Sequence, residues 1–316
     1  MSRIRAVCAV ALASAALAFA GLNPALAQVL EKEKPQRGGI INWFVYADPG
    51  RLDIHTETPL GVQQATAGVW SGLLQFSPDD PNKIIPDLAT EYRVSEDGKT
   101  YEFLLRDGVF WHDGEEFSAE DVKATFDRLL NPEVKARRCG SVVRPVIKEV
   151  TVVNRLAVKF ELEFPAATFI PAMASAWCRI AAKHVLEKYG DLQGPEAQIG
   201  TGPFKFKRYE RGSVIEWERF DNYYDARYPY ADGVKQYILQ GAARQLAAAK
   251  AGQLHVWDTW PPMSKSAADE LKSARGDEVT TYTWPINTLW GIHLNVQKEP
   301  FDKKDIRRAV HLALDR

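Results

Sequence analysis

The stretch "GVFWHDGEEFSAEDV", Gly108 to Val122, sets His112 among Asp113, Glu115, Glu116, Glu120 and Asp121. Two chemistries could use such a set. A metal centre needs a histidine and carboxylates converging on one point, commonly from i and i+4 positions of a helix. A general acid–base pair needs burial to move its pKa values toward neutrality. The spacing favours neither. His112 and Asp113 are adjacent, so on a strand they face opposite ways. Glu115 and Glu116 flank Gly114 and are expected in solvent. The same letters suit scaffold: an Asp113-Gly114 hairpin turn, Ser118 as N-cap, and Glu120 and Asp121 in the first helical turn, where the dipole favours negative charge. Asp121 stands where a capping box prefers Glu or Gln. Val122, Phe126, Leu129 and Leu130 make the buried stripe, and Pro132 blocks continuation.

No other constellation supplies an enzyme. The chain has no Gly-x-Ser-x-Gly, no phosphate loop, no His-Glu-x-x-His and no Cys-x-x-Cys. His55, His184, His255, His293 and His311 are scattered, and each is expected at the surface or half-buried. No cofactor and no metal site is called for. Trp257, Trp260, Trp284 and Trp290 crowd one region near strand ends, as core packing or as a partly open apolar wall of a pocket. Cys139 and Cys178 have the right parity for a disulfide in an exported protein; two free, buried thiols are the alternative.

Around these residues helices alternate with strands. "IINWFVY" reads as a first strand ended by "ADPG", and "VQQATAGVWSGLLQF" as a helix. "DGKTYEFLLRDG" is a strand between two Asp-Gly turns, with Tyr101, Phe103 and Leu105 on one face. "IKEVTVVNRLAVKFELEF" and "GPFKFKRYERGSVIEWERF" are hairpins, turning at Asn154-Arg155 and at "ERGS". "NYYDARYPYADG" looks like a surface wrap over the sheet. "GAARQLAAAKAGQ" is a helix with Gly252 at its C-terminal cap, followed by a short strand, "LHVWD". "SKSAADELKSA" is a helix, and "EVTTYTW" and "TLWGIHLNV" are strands. "FDKKDIRRAVHLALDR" begins an amphipathic helix, with Asp302 as N-cap and Ile306, Val310 and Leu314 on one face. It has nothing to pack against before the sequence stops, so a following domain is expected. The whole is α/β with mixed sheets.

The N-terminus reads as an export signal: a basic start, an apolar run from Ala6 to Ala20, and an Ala25-Leu26-Ala27 cleavage site, so 1–27 is a signal peptide. Cys8 leaves with it, and no cysteine at the cleavage site offers a lipid anchor. No later stretch approaches the roughly 20 apolar residues of a membrane span. The 316 residues carry a net charge of −1 and are 46% hydrophobic. That balance gives a real core and no electrostatic case for nucleic acid or an anionic membrane.

In chain order, "RGGIINWFVYADPGRLDIH", "IIPDLATEYRVSEDGKTYEFLLRDGVFWHDGEEFSAEDVKATFDRLL", "IKEVTVVNRLAVKFELEFP", "IGTGPFKFKRYERGSVIEWERFDNYYD" and "NTLWGIHLNVQKEPFDKKDIRRAVHLALDR" resemble the solute-binding proteins of ABC importers in the peptide, nickel and oligosaccharide cluster. The resemblance runs along nearly all of the chain after the signal. It implies a periplasmic-binding-protein-like two-lobe fold with an inserted peripheral α+β domain. Residues 28–72 and 198–288 would be the first domain, 73–197 the inserted second, and 289–316 the start of a third whose remainder, most of the second lobe, is missing. The sequence departs from the family at Ile54, where the Leu-Asp-Pro-His turn has proline.

The resemblance further implies capture of a small solute, peptide-like by preference, through lobe closure in the periplasm, and delivery to an ABC transporter membrane permease. The protein would be a monomer without a membrane anchor, and not an enzyme. Thr56, Glu57, Thr58 and Leu60, in the loop after the first strand, correspond to a ligand-contacting loop, with Trp260 and Trp290 as apolar wall. Nickel chelates, oligosaccharides and opine-like compounds remain alternative ligands. The rival readings are an exported hydrolase of peptides or sugars and a periplasmic chaperone-like binder.

Overall fold

A computed structural model describes residues 35–257, 263–282 and 292–313. It divides into two compact units, one up to Ala274 and one from Arg275 onward.

The first unit holds two four-stranded sheets. In one, β1 (Ile40–Val45) lies parallel to β10 (Gly233–Ile238), which continues antiparallel to β9 (Val214–Arg219) and β8 (Phe204–Glu210). Segments distant in sequence therefore share one sheet, with Trp43 opposite Gln236. The other sheet is antiparallel, in the order β4 (Ala89–Val94), β5 (Thr100–Leu105), β7 (Ala157–Leu162) and β6 (Ile147–Asn154). A two-stranded ribbon, β2 (Leu74–Phe76) with β3 (Ile84–Pro86), lies between β1 and β4 in sequence. Both expected hairpins are present, β6–β7 and β8–β9.

Tyr101, Phe103 and Leu105 alternate inward as expected from the period of two. Phe103 meets Phe160 edge-on at 5.5 Å, and Phe160 meets Phe126 at 4.8 Å. Phe126 belongs to α2 (Ala119–Leu130), which covers β6 and β7 and is followed in the chain by the short helices α3 (Cys139–Val143) and α4 (Phe169–Met173). Each such fully buried ring stabilises the fold by about 1.5–3 kcal/mol.

The start of α2 follows from its sequence. Ser118 Oγ accepts from the Glu120 N–H at 3.3 Å, and the Asp121 carboxylate accepts from the Ser118 N–H at 2.9 Å. Aspartate thus closes a box that usually takes the longer Glu. It does so while its other oxygen accepts the Lys183 N–H at 2.8 Å, at the start of α5 (Lys183–Tyr189). One shortened side chain serves two helix ends.

Several expectations need correction. The helix expected over "VQQATAGVWSGLLQF" is only α1 (Leu60–Thr66), and residues from Leu74 form β2. The chain leaves the helix at Gly68, where it must pass Trp217; a Cβ there would lie 2.8 Å from that ring. "LHVWD" is not a strand over its described residues, although the His255 N–H donates to Asn42 O at 2.8 Å beside β1. The described parts of "EVTTYTW" and "TLWGIHLNV" are also irregular. α6 (Ala242–Lys250) ends as expected, with Gly252 at φ +72°. α7 (Lys265–Arg275) closes the first unit.

In the second unit, α8 (Lys304–Leu312) is capped by Lys303 and not by Asp302. Its Ile306 and Leu312 are exposed. Among the described residues, no helix is long and apolar enough to cross a membrane. The signal segment, Leu314, Trp260, Trp284 and Trp290 lie outside the described residues.

Candidate functional site

The opening motif disperses on folding. Glu115 and Glu116 are exposed beyond the Asp113-Gly114 turn, which a single bridge between Phe110 and Glu116 closes. Asp113 accepts from His184 Nε2 at 2.7 Å. His112 turns inward. Its Nδ1 accepts the Gly200 N–H at 3.2 Å and its Nε2 lies 2.9 Å from Gly202 O. An amide can only donate, so Nδ1 is the acceptor and Nε2 carries the proton. Burial, with the charge of Lys205, pulls this imidazole down to about 4, against the opposing pull of Gly202 O and Asp113. It is a neutral staple between the hairpin and the "GTGP" segment. Gly200 and Gly202 also let this segment pack on the chain after α1, since a Cβ on either would fall within 2.6 Å of the Gly68–Val69 backbone.

The loop between β1 and α1 is differently built. Its first turn is held by Asp48, which accepts from the Tyr209 hydroxyl and from the Gly212 N–H at 2.6 Å. Its centre is Asp53, whose side chain is wholly buried. Arg128 Nη2 donates to Asp53 Oδ2 at 2.7 Å, across from α2. Burial raises the Asp53 pKa, but the Arg128 charge and its hydrogen bonds outweigh this, and the net shift is downward. The other oxygen accepts the His55 N–H at 3.0 Å and the Thr56 N–H at 3.3 Å.

His55, expected near the surface, is only 1% exposed. Arg128 Nη1 donates to its Nδ1 at 2.8 Å, and its Nε2 lies 2.8 Å from Arg179 O. Guanidinium cannot accept, so this ring is also neutral and protonated on Nε2. Burial and the Arg128 charge drive its pKa down to about 4. Ile54, at the position where proline was expected, is 1% exposed and joins the core. It anchors by packing a turn that proline would stiffen through φ.

The tip of the loop is the opposite of its base. Thr56, Glu57 and Thr58 are half-buried and Leu60 is 41% exposed. The backbone there is tied: the Glu57 N–H donates to Asp53 O at 3.0 Å, and Arg138 Nη2 donates to Thr58 O at 3.1 Å. The two threonine hydroxyls and the Glu57 carboxylate have no side-chain partner among the described residues. A rigid base thus presents two hydroxyls, a carboxylate and an apolar side chain. That set can hydrogen-bond and orient a polar solute. Thr56, Glu57 and Thr58 lie in the loop and Leu60 is the first residue of α1; Trp260 and Trp290 are not described.

Two residues at this tip went unrecognised in the sequence. Arg138 and Trp177 precede the two cysteines, and Cys139 and Cys178 form a disulfide with Cα atoms 5.2 Å apart. The bridge brings Arg138 over the Trp177 ring, 4.8 Å from its centroid.

Residues 83–316 match the model of the bacterial extracellular solute-binding proteins, family 5 Middle. The chain belongs to this family. Among its relatives, the dipeptide-binding protein of Escherichia coli K12 is 30% identical over 253 residues, covering 74% of this chain and 46% of that protein. The structure of the PBP AgaA from A. tumefaciens R10 in complex with agropinic acid is 29% identical and superposes with a TM-score of 0.63. It covers 68% of this chain and 43% of AgaA. Haemophilus influenzae OppA, in complex with a peptide, superposes at 0.74 over 89% of this chain and 56% of its own, at 21% identity, and supports the fold alone. The family 5 chain described here thus spans about half the length of the relatives it matches.

Proposed function

We propose that this protein captures a small, peptide-like solute outside the cytoplasm and passes it unchanged to an ABC import permease. Family membership supports solute binding, and the E. coli relative is named for dipeptides. The observation that carries the site is the contrast between a base fixed by Asp53, Arg128 and His55 and a tip at Thr56, Glu57 and Thr58, leading into Leu60, whose polar side chains have no partner among the described residues. Such pre-organisation lowers the cost of ordering the site on binding.

The sheet made of β1 with β8, β9 and β10 supports dividing the chain into a first domain of 28–72 and 198–288 and an inserted domain of 73–197. In this reading the ligand loop belongs to the first domain, and solute is captured by a conformational closure of the hinge type. No covalent step is required, and the protein acts as a periplasmic monomer.

Calorimetric titration of the full-length protein with Ala-Phe and related dipeptides tests this. Wild type should bind with one-to-one stoichiometry. Thr58→Ala and Glu57→Gln should weaken binding severalfold without lowering the melting temperature. Unchanged affinity in both variants removes the loop from the site, and steady release of amino acids would favour a hydrolase.

A further inference from the structure

We infer that Arg138, stacked on Trp177 and locked beside Thr58 by the Cys139–Cys178 disulfide, forms a carboxylate-binding subsite at the rim of the ligand loop. The inference rests on the reading of that loop as ligand-contacting. Arg138 is exposed, yet it is held at two points: Nη2 donates to Thr58 O at 3.1 Å, and the guanidinium lies over Trp177 at 4.8 Å. Among the described residues no carboxylate pairs with it, and its remaining N–H groups have no partner.

Its neighbours add to the field. Lys135 and Arg137 are exposed and also without an ion-pair partner among the described residues, while Arg144 is turned to Leu129 O at 3.0 Å. The segment from Lys135 to Arg144 contains no acidic residue. A planar fork with free donors, backed by an aromatic face and flanked in sequence by Lys135 and Arg137, suits a carboxylate approached in its plane on the side away from Glu57. Lysine in its place would supply charge without the fork. The disulfide has a clear part in this. It joins the residue after Arg138 to the residue after Trp177, so the stacked pair is positioned covalently at the loop. The ligand class is therefore a solute with a free carboxylate near its contact with Thr58. A peptide C-terminus and an acidic side chain share that chemistry.

The test compares Ala-Phe, Ala-Phe amide and Ala-Glu amide on full-length wild type, Arg138→Gln, Arg138→Lys and Trp177→Leu, by calorimetry. Melting curves, and thiol labelling that leaves Cys139 and Cys178 unmodified, confirm that each variant is folded and bridged. Wild type should prefer Ala-Phe, or Ala-Glu amide, over Ala-Phe amide by about tenfold or more, the scale of a charge-assisted pair. Arg138→Gln should bring that ratio close to one, with Arg138→Lys and Trp177→Leu between. Which acid is preferred tells the C-terminal from the side-chain carboxylate. A ratio that survives Arg138→Gln overturns the subsite and leaves the proposed function intact. Failure of wild type to bind any of the three defeats the peptide reading and the subsite with it.

Discussion

Lowering the pH should weaken this fold through His112 in a way that one substitution can isolate. The imidazole is 7% exposed, accepts from the Gly200 N–H and donates to Gly202 O. A second proton on Nδ1 would set a donor against a donor at 3.2 Å. Its pKa is about 4 in the folded protein against 6.5 for the free side chain. Between those values the unfolded chain binds more protons than the folded one. Stability is therefore fully present above pH 6.5 and lost as pH falls toward 4. Integrating the two titrations gives a loss of about 2 kcal/mol between pH 7 and pH 5. His55 is shifted to about 4 as well and adds a similar slope. Asp87 and Asp121 act in the opposite direction: burial raises both, so the folded state takes up their protons first and gains as pH falls. The total slope mixes these effects, and the difference between wild type and His112→Gln does not. Urea melts at pH 7, 6 and 5 should find the variant less stable at pH 7. The gap should then narrow by about 2 kcal/mol by pH 5. Parallel lines for the two proteins would refute the neutral, buried staple.

Other outcomes follow from the same structure. Arg128→Met should cost about 3–5 kcal/mol in chemical denaturation, because it leaves Asp53 buried and unpaired. Adding Asp53→Asn to it should restore part of that loss. Replacing both cysteines by serine should remove about 4 kcal/mol, the loop-closure value for a bridge spanning 39 residues. Thiol titration of the unfolded, unreduced protein should find neither Cys139 nor Cys178 reactive. Tyr224→Phe should cost about 1–3 kcal/mol by urea melt, since it removes the hydroxyl donated to buried Asp87.

Local signals carried much of this fold. The alternation of Tyr101, Phe103 and Leu105, the Ser118 cap and the two hairpins depend on near neighbours, and each is found where its pattern lies. Elements fixed by distant contacts were less legible. The helix after Pro59 ends at Thr66, where Trp217, far along the chain, donates its indole N–H to Ala65 O at 3.0 Å. The "NYYDARYPYADG" stretch does more than wrap the sheet: Tyr224 reaches Asp87, while Arg106 covers its ring at 4.9 Å. At the candidate site, the choice of loop rests on family resemblance. Its foundation was not, since Asp53 and His55 take their partner, Arg128, from 75 and 73 residues away. Nothing in an Asp-x-His triplet announces such a partner. Arg138 and Trp177 could have been found by one step: accepting the Cys139–Cys178 bridge obliges the preceding residues to lie close together.

The central claim is that a solute is bound at this loop and leaves unaltered. Equilibrium dialysis of the full-length protein against a defined dipeptide mixture, with mass spectrometry of what is retained, addresses it directly. The account predicts retention of intact peptide, saturating at one molecule per protein and weakened by Thr58→Ala. Retention of nothing, or recovery of free amino acids in place of the peptides, would contradict it.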